Sequence, residues 1–342
     1  MRPKALYASR RPLIGLLIGV VLIGLSCKDR LDRPQVVLYC SVDQEVAEPI
    51  IAGFEKRSGI KVLAKYDTEA SKTVGLAQRI RAEAAAPAAD VFWSGEVFHT
   101  IRLAREGLLT PYRLETTANW PAAFADPNGY WYGFSLRGRV IGYNTNRVPA
   151  AQAPKSLEDA LDPRWKGRLV MASPAFGTTG GDVASWFAHY GRDRAREILQ
   201  RLKDNGVRLV SGNSTAVRMV ATGQADLCFT DTDDIYAGQR NGWPVAMNFL
   251  DQGGDGVLTI PNTAAMIKGG PNPQSAKALM RFLLSEELEQ LAAESDSHNS
   301  PIHAEVAWKY PHYAIPHPLQ VDYACVADFL PEAIGAAREV LE

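Results

Sequence analysis

Six polar segments, each placed where an apolar run gives way to a predicted helix, hold most of the side chains that could do chemistry. In the first half of the chain they supply Ser41, Asp43, Thr68, Ser71, Ser94 and Glu96. In the second half they supply Thr178, Thr179, Asn213, Ser214, Thr230, Asp231, Thr232 and Asp234. Hydroxyl and amide groups donate hydrogen bonds to oxyanions, whereas the carboxylates of Glu96, Asp231 and Asp234 are candidate ligands for a hard cation. We therefore predict a ligand site of mixed charge.

Two arginines lie between these two groups of segments. Arg137 and Arg139 are separated by one residue, which places both on one face of a strand. A guanidinium fork suits a carboxylate, a phosphate or an anion that completes a metal site. The alternative is a solvated strand edge or a salt bridge between lobes. We include Arg137 among the predicted ligand-binding residues.

The segments that must position these side chains alternate between strand and helix patterns. Short apolar runs at 36–40, 60–64, 89–93, 169–172, 207–210, 226–229, 257–260 and 264–267 predict strands, and most are followed by helical periodicity. Further helices are predicted within 274–293 and at 331–341. This alternation is typical of a doubly wound α/β fold, in which ligands bind at the carboxyl ends of the strands. The simpler interpretation of each polar segment is a helix N-cap.

Composition excludes several classes of function. The 342 residues are 46% apolar and carry 37 basic against 38 acidic side chains, which argues against nucleic-acid binding and against disorder. The chain has no G-x-S-x-G, H-E-x-x-H or Walker sequence, so no catalytic role is predicted. Cys40, Cys228 and Cys325 are interpreted as small buried hydrophobes, since no C-x-x-C occurs.

The first 27 residues have the pattern of an export signal. Four basic side chains precede an apolar run at 13–25, which is short for a membrane span but typical of a signal-peptide core. The run ends at Ser26-Cys27, and this predicts a lipoprotein in which Cys27 is lipidated and followed by a charged linker at 28–35. An ordinary signal peptide or an uncleaved anchor is the alternative, and residues 9–13 resemble a twin-arginine signal. Each version predicts export.

Five segments together resemble the ABC-transporter substrate-binding proteins of the ferric-iron type. They are residues 36–62, 89–112, 132–149, 211–234 and 257–289, including VVLYCSVDQEVAEPIIAGFEKRSGIKV and SGNSTAVRMVATGQADLCFTDTDD. The resemblance implies a two-lobe, type II periplasmic-binding-protein fold with a cleft between doubly wound lobes. We expect lobe 1 at 36–138 and 257–342, lobe 2 at 139–256, and two crossing segments that act as a hinge. It also implies a monomeric, non-enzymatic protein that delivers its solute to a membrane permease.

The same resemblance implies ferric iron or an iron complex as the transported solute, with no cofactor. Iron binders of this type carry adjacent tyrosines in the second lobe, whereas residues 230–236 here are TDTDDIY. An organophosphonate or a phosphorylated small molecule is therefore the alternative ligand. A secreted hydrolase is a third interpretation, for which no activated nucleophile is evident.

Overall fold

The computed structural model describes residues 33–68 and 71–342. The predicted signal peptide with Cys27, most of the predicted linker, and the pair Glu69 and Ala70 lie outside the described residues. Within the described part, no helix has the length and apolar character needed to cross a membrane.

The first lobe begins with strands and helices in alternation, as the apolar runs predict. Its elements are β1 (Gln35–Cys40), α1 (Gln44–Ser58), β2 (Lys61–Tyr66), α2 (Val74–Ala82), β3 (Val91–Ser94), α3 (Phe98–Arg105) and β4 (Leu109–Thr110). β1 lies between β2 and β3 and is parallel to both. Helix α1 ends at Gly59, whose φ of 71° is easily adopted by glycine and turns the chain toward β2. The residues that follow β1 and β3 therefore meet at one edge of the sheet.

One long strand joins the two lobes. β5 (Tyr132–Asn144) pairs antiparallel with β10 (Thr259–Ile267) through residues 132–138, and with β8 (Leu227–Asp231) through residues 139–143. In the described residues the sheet has ten strands, and its main path is β2-β1-β3-β10-β5-β8-β6-β7, with β4 paired to β10 and β9 to β5. The remaining strands are β6 (Leu169–Ala172), β7 (Arg208–Val210) and β9 (Val245–Asn248). Arg137 and Arg139 lie on β5 where it passes from one lobe to the other.

Helices cover the strands of both lobes. The second lobe contributes α4 (Leu157–Ala160), α5 (Gly177–Tyr190), α6 (Arg192–Asp204), α7 (Asn213–Ala221) and α8 (Thr232–Arg240). The last part of the chain forms α9 (Pro273–Leu283), α10 (Glu286–Glu294), α11 (Ala304–Ala307) and α12 (Tyr323–Leu341). Short 3₁₀ turns occur at Glu115–Thr117, Ala122–Phe124, Pro163–Trp165 and Pro311–Tyr313.

Two predictions about local structure were wrong, both at a proline. A single strand, β10, replaces the two predicted at 257–260 and 264–267, because Pro261 pairs with Leu136 beside a β-bulge, where proline is tolerated. The last helix begins at Tyr323 rather than at Pro331. Buried side chains such as Val326 and Leu330 extend its apolar face in front of the proline, and this packing outweighs the lost backbone hydrogen bond.

Helix α12 contacts both lobes. The rings of Phe187 in α5 and Phe329 in α12 lie 6.4 Å apart. At the other end of α12, Tyr323 packs 6.1 Å from Phe98 of α3. The largest part of the apolar face of α12 is buried against α5. The predicted inclusion of all of 257–342 in the first lobe therefore does not describe α12, which lies mainly on the second lobe.

Candidate functional site

A narrow cleft lies between the lobes, where the carboxyl ends of β1 and β3 face those of β6 and β8. Nine of the predicted ligand-binding residues line it: Ser41, Asp43, Glu96, Arg137, Thr178, Thr179, Asn213, Asp231 and Asp234. Lys72 and Asp233 also line the cleft and were not among the predicted residues. Asp233 could have been found from the sequence, because it lies within the acidic segment TDTDD. Lys72 lies in a polar turn, and the sequence does not indicate where its side chain points.

Asp231 is the centre of the hydrogen-bond network in the second-lobe wall. It is the last residue of β8 and is fully buried. Its Oδ1 accepts a hydrogen bond from Arg139 Nη1 at 2.7 Å, and its Oδ2 accepts from Thr178 at 2.6 Å and Asn213 at 3.1 Å. Arg137 Nη1 lies 3.4 Å from Oδ2. Burial alone would raise the pKa of Asp231, but the charges of Arg139 and Arg137 outweigh it and hold that pKa below its usual value.

Two further carboxylates follow Asp231 on the first turn of α8. One oxygen each of Asp231, Asp233 and Asp234 lies within 4.8 Å of the others. Burial, partly offset by Arg137 and reinforced by neighbouring carboxylates, raises the pKa of Asp233 to about 6. Burial and the charge of Asp233 raise the pKa of Asp234 well above its usual value. When ionised, these carboxylates carry more negative charge than the neighbouring arginines neutralise. A bound cation would relieve their repulsion.

The first-lobe wall is held by a different set of contacts. Lys72 Nζ lies 2.5 Å from Asp43 Oδ1. Burial opposes ionisation of Asp43, but the charge and hydrogen bond of Lys72 outweigh it and lower the pKa of Asp43. The Ser41 hydroxyl accepts a hydrogen bond from the Gly95 N–H at 2.9 Å and one from the Thr73 hydroxyl at 3.0 Å. These contacts fix the ends of β1 and β3 at the cleft.

Arg137 bridges the lobes from its position on β5. Its guanidinium group is buried, donates to the carbonyl of Gly95 in the first lobe, and lies 3.3 Å from Asp233 in the second. In total, five carboxylates and two cationic side chains line the cleft. The lining is therefore negative when its acidic groups are ionised.

Two helices direct their N-termini into the cleft. Helix α5 begins at Gly177 and α7 begins at Asn213, and in the described residues no side chain caps either helix. Free N–H groups at a helix start favour an anion. The Gly177 N–H also donates to the carbonyl of Lys72 in the opposite lobe at 3.3 Å. The described conformation therefore has the lobes in contact across the cleft.

Glu96 lines the cleft, but its carboxylate is engaged in capping α3. It accepts hydrogen bonds from the backbone N–H of Phe98 at 2.6 Å and of His99 at 3.2 Å, and it lies 3.1 Å from His99 Nδ1. Ser94 is fully buried and accepts from the Glu96 N–H at 3.2 Å. Glu96, a candidate metal ligand in the sequence, thus accepts from the first N–H groups of α3 and lies one residue before the N-cap Val97.

The remaining predicted site residues lie around the cleft. The hydroxyls of Thr68 and Ser71 are 2.8 Å apart, and neither residue lines the cleft. Thr230 donates to Asp234 at 3.1 Å, and Thr232 accepts from the Gly138 N–H at 3.3 Å. Ser214 lies at the outer mouth of the cleft. None of these five residues lines the cleft, and Thr230 contacts the lining residue Asp234.

This arrangement of two α/β lobes, crossing strands and an interlobe cleft defines a type II periplasmic binding protein, as the sequence predicted. A family model described as bacterial extracellular solute-binding protein matches residues 36–295. The chain belongs to this family, whose members are substrate-binding transport proteins and not enzymes.

Individual relatives resemble the chain over most of its length. Iron uptake protein A1 of Synechocystis sp. is 27% identical over 312 residues, which are 86% of this chain and 85% of that protein. The structure of iron-bound HitA from Pseudomonas aeruginosa is 27% identical, with a TM-score of 0.79 over 90% of this chain and 99% of that one. A Salmonella typhimurium protein, provisionally named as binding 2-aminoethylphosphonate, is 26% identical over 268 residues, or 76% of this chain and 75% of its own. The resemblance to iron-binding transport proteins is thus confirmed at the level of the family.

Proposed function

We propose that the protein is the substrate-binding component of an ABC importer and captures ferric iron or a ferric complex in its cleft. The observation that carries this proposal is the cluster of Asp231, Asp233 and Asp234 on the second-lobe wall. Carboxylate oxygens are the ligands that hard cations prefer. Two of the named relatives are an iron uptake protein and an iron-bound protein, which supports the same solute.

The members of the cluster take different roles. Both oxygens of Asp231 already accept hydrogen bonds, so this residue positions the site. Asp233 and Asp234 supply oxygens from the second lobe, and Asp43 supplies one from the first. A metal held from both lobes favours the closed form, since only closure brings these oxygens together. Tyr236 is the tyrosine nearest in sequence to these aspartates. Its ring packs 5.4 Å from the ring of Tyr313.

Native mass spectrometry of residues 28–342 tests the solute. Incubation with ferric citrate should give a complex that retains iron, and small-angle scattering should show a smaller radius of gyration on binding. Asp234→Asn should lose iron under conditions in which Asp255→Asn, at an exposed ion pair with His189, retains it. A wild-type protein that takes up no ferric complex would contradict the proposal.

An organophosphonate or phosphorylated small molecule is the second candidate. The specific observation in its favour is the pair of helix starts at Gly177 and Asn213, together with Thr178 and Thr179. An aminophosphonate carries an ammonium group that the carboxylates would accept and an oxyanion that the helix starts would accept. Binding of 2-aminoethylphosphonate by the wild type in the absence of iron, abolished in Arg137→Ala, would establish this candidate.

The family description places its members outside the cytoplasm, and we propose that this chain is exported and lipid-anchored through Cys27. In this proposal the loaded protein presents its cleft to a permease in the same membrane. Cys27→Ala should abolish lipidation, which is measured as a change in mature mass and in membrane fractionation. Unchanged values of both would rule out the anchor.

A further inference from the structure

The first two turns of helix α5 contain three glycines, two of which allow very close contacts. A Cβ atom at Gly180 would lie 2.5 Å from the carbonyl oxygen of Pro174, within the second lobe. A Cβ atom at Gly181 would overlap the ring of Phe98 at Cδ2, Cε2 and Cζ, and Phe98 belongs to α3 of the first lobe. Glycine inside a helix is less favourable than alanine, and close packing is a physical reason for its presence.

The Gly181 side of this contact is fixed to the second lobe. Thr178, on the preceding turn, donates to Asp231 at 2.6 Å. Asp182, the next residue after Gly181, lies 3.1 Å from Arg139 Nε. Both contacts join the start of α5 to the charged network of the cleft. A movement of α5 relative to the first lobe would therefore carry that network with it.

The Phe98 side of the contact is fixed to the first lobe. The N–H of Phe98 donates to the Glu96 carboxylate at 2.6 Å, and the Thr100 hydroxyl lies 2.7 Å from that of Thr263 on β10. The Phe98 ring is fully buried and packs 6.1 Å from the ring of Tyr323. Because protein interiors are closely packed, the ring has little room to move away from Gly181.

A second contact between the lobes lies one turn earlier on the same helix. There the Gly177 N–H donates to the carbonyl of Lys72 at 3.3 Å. At both glycines the main chain of α5 meets the first lobe without an intervening side chain. The start of α5 is therefore a surface along which the lobes meet.

We propose, on the basis of the function proposed above, that Gly181 is a positioning residue for closure of the lobes. The lobes meet at Phe98 when the cleft closes around its cargo, and the missing side chain at Gly181 sets how closely they approach. Asp43 and the cluster of Asp231, Asp233 and Asp234 lie on opposite walls, so their separation depends on this approach. A side chain at position 181 would hold the walls apart and deprive a bound cation of part of its ligand set.

Gly181→Ala tests the contact with the smallest added side chain. We expect at least a tenfold loss of affinity for ferric citrate, measured by titration calorimetry. At saturating ferric citrate, small-angle scattering should give a larger radius of gyration than that of the loaded wild type. The unligated variant should keep or gain resistance to urea, because alanine favours a helix over glycine and separated lobes leave room for the methyl group.

Two other glycines provide matched controls. Gly53 lies inside α1, and a Cβ atom there would meet, in the described part of the chain, nothing within 4 Å beyond its own helix. Gly53→Ala should therefore gain the same helix preference and bind ferric citrate within twofold of the wild type. Gly180→Ala should instead lose resistance to urea, since separation of the lobes does not relieve its overlap with the carbonyl of Pro174.

Removal of the Phe98 ring tests whether this ring is the obstacle. In a Phe98→Ala background the methyl group at position 181 no longer has a ring to overlap. Gly181→Ala should then change the affinity for ferric citrate by less than twofold relative to Phe98→Ala alone. A tenfold loss that persists in this background would place the obstruction elsewhere and overturn the inference.

The outcomes distinguish the two proposals. If the wild type takes up no ferric complex, the proposed function fails. If the wild type binds ferric citrate and Gly181→Ala binds it within twofold of the wild type, the contact does not control closure. The same conclusion follows if Gly181→Ala destabilises the unligated protein as much as Gly180→Ala does. In both cases the inference about Gly181 is overturned and the proposed function stands.

Discussion

Strand β8 has a buried aspartate at each end, and the two differ in what surrounds them. Asp226, just before the strand, pairs with Arg147 and Arg168, whose side chains are 52% and 41% exposed. Asp231, at its carboxyl end, pairs with Arg137 and Arg139, which are 9% and 3% exposed. The same strand thus carries one ion-pair cluster open to solvent and one enclosed.

The difference favours the Asp231 end of the strand as the proposed ligand site. At Asp226 two arginines face one carboxylate. Burial is outweighed by their hydrogen bonds and charges, and the pKa of Asp226 is lowered. Around Asp231 three carboxylates face two arginines. The two further carboxylates are those of Asp233 and Asp234, whose pKa values are raised. Unbalanced buried carboxylates repel one another and destabilise the unligated protein. A bound cation would remove this repulsion, and cation binding is therefore favoured.

The largest expected effect separates the two ends by stability. Asp231→Asn should lower the free energy of unfolding by about 3 kcal/mol, because it removes the carboxylate that two buried guanidinium groups share and leaves them only Asp233 and Asp182. Asp226→Asn should cost about 1 kcal/mol, since Arg147 and Arg168 can turn to water. Urea unfolding of the unligated proteins measures both losses, and equal losses would show that the two ends of β8 do not differ in this way.

The next effect separates binding from stability. Asp234→Asn should weaken ferric citrate binding at least tenfold, because it removes a charged oxygen from the cluster. The unligated protein should not be destabilised, since the raised pKa shows that the charged form of Asp234 is disfavoured by burial. Asp226→Asn is the control, with an expected change in affinity below twofold. Calorimetry and urea unfolding on the same samples provide the test.

The pH dependence should have opposite signs for stability and for binding. The pKa of Asp233 is raised from 3.8 to about 6 by folding, so the unligated protein holds this proton more tightly than the unfolded chain. Its contribution to stability is therefore present below about pH 4 and is lost as the pH rises to about 6. Affinity for a cation should instead rise over that range. Asp233→Asn should flatten both curves, and unchanged curves would exclude Asp233 as the titrating group.

The smallest expected effect concerns Glu96. Because its carboxylate caps α3, Glu96→Ala should lower the free energy of unfolding by about 1 kcal/mol. Ferric citrate affinity should change by less than threefold. A tenfold loss of affinity with unchanged stability would restore Glu96 as a ligand and extend the charged cluster to the first lobe.

Local patterns in the sequence were sufficient to predict most helices and strands. They also predicted the edge of the sheet at which the candidate site lies. The apolar run of β1, the capping glycine after α1 and the TDTDD sequence after β8 each specify local structure within a few residues. Parallel strands then bring the polar segments together, so nine cleft residues could be named in advance. Pro331 misled the prediction because helix packing outweighs a local preference.

What the tertiary structure alone decided is the role of each polar side chain. Asp231, Asp234 and Glu96 are equivalent as candidates in the sequence, but Asp231 is saturated with hydrogen bonds and Glu96 caps a helix. The contacts of Ser135 are also tertiary, since its carbonyl accepts hydrogen bonds from Asn262 and Asn299 in a distant part of the chain. Sequence spacing fixes periodicity and chain direction, whereas hydrogen-bond partners and electrostatic balance depend on groups brought together only by folding.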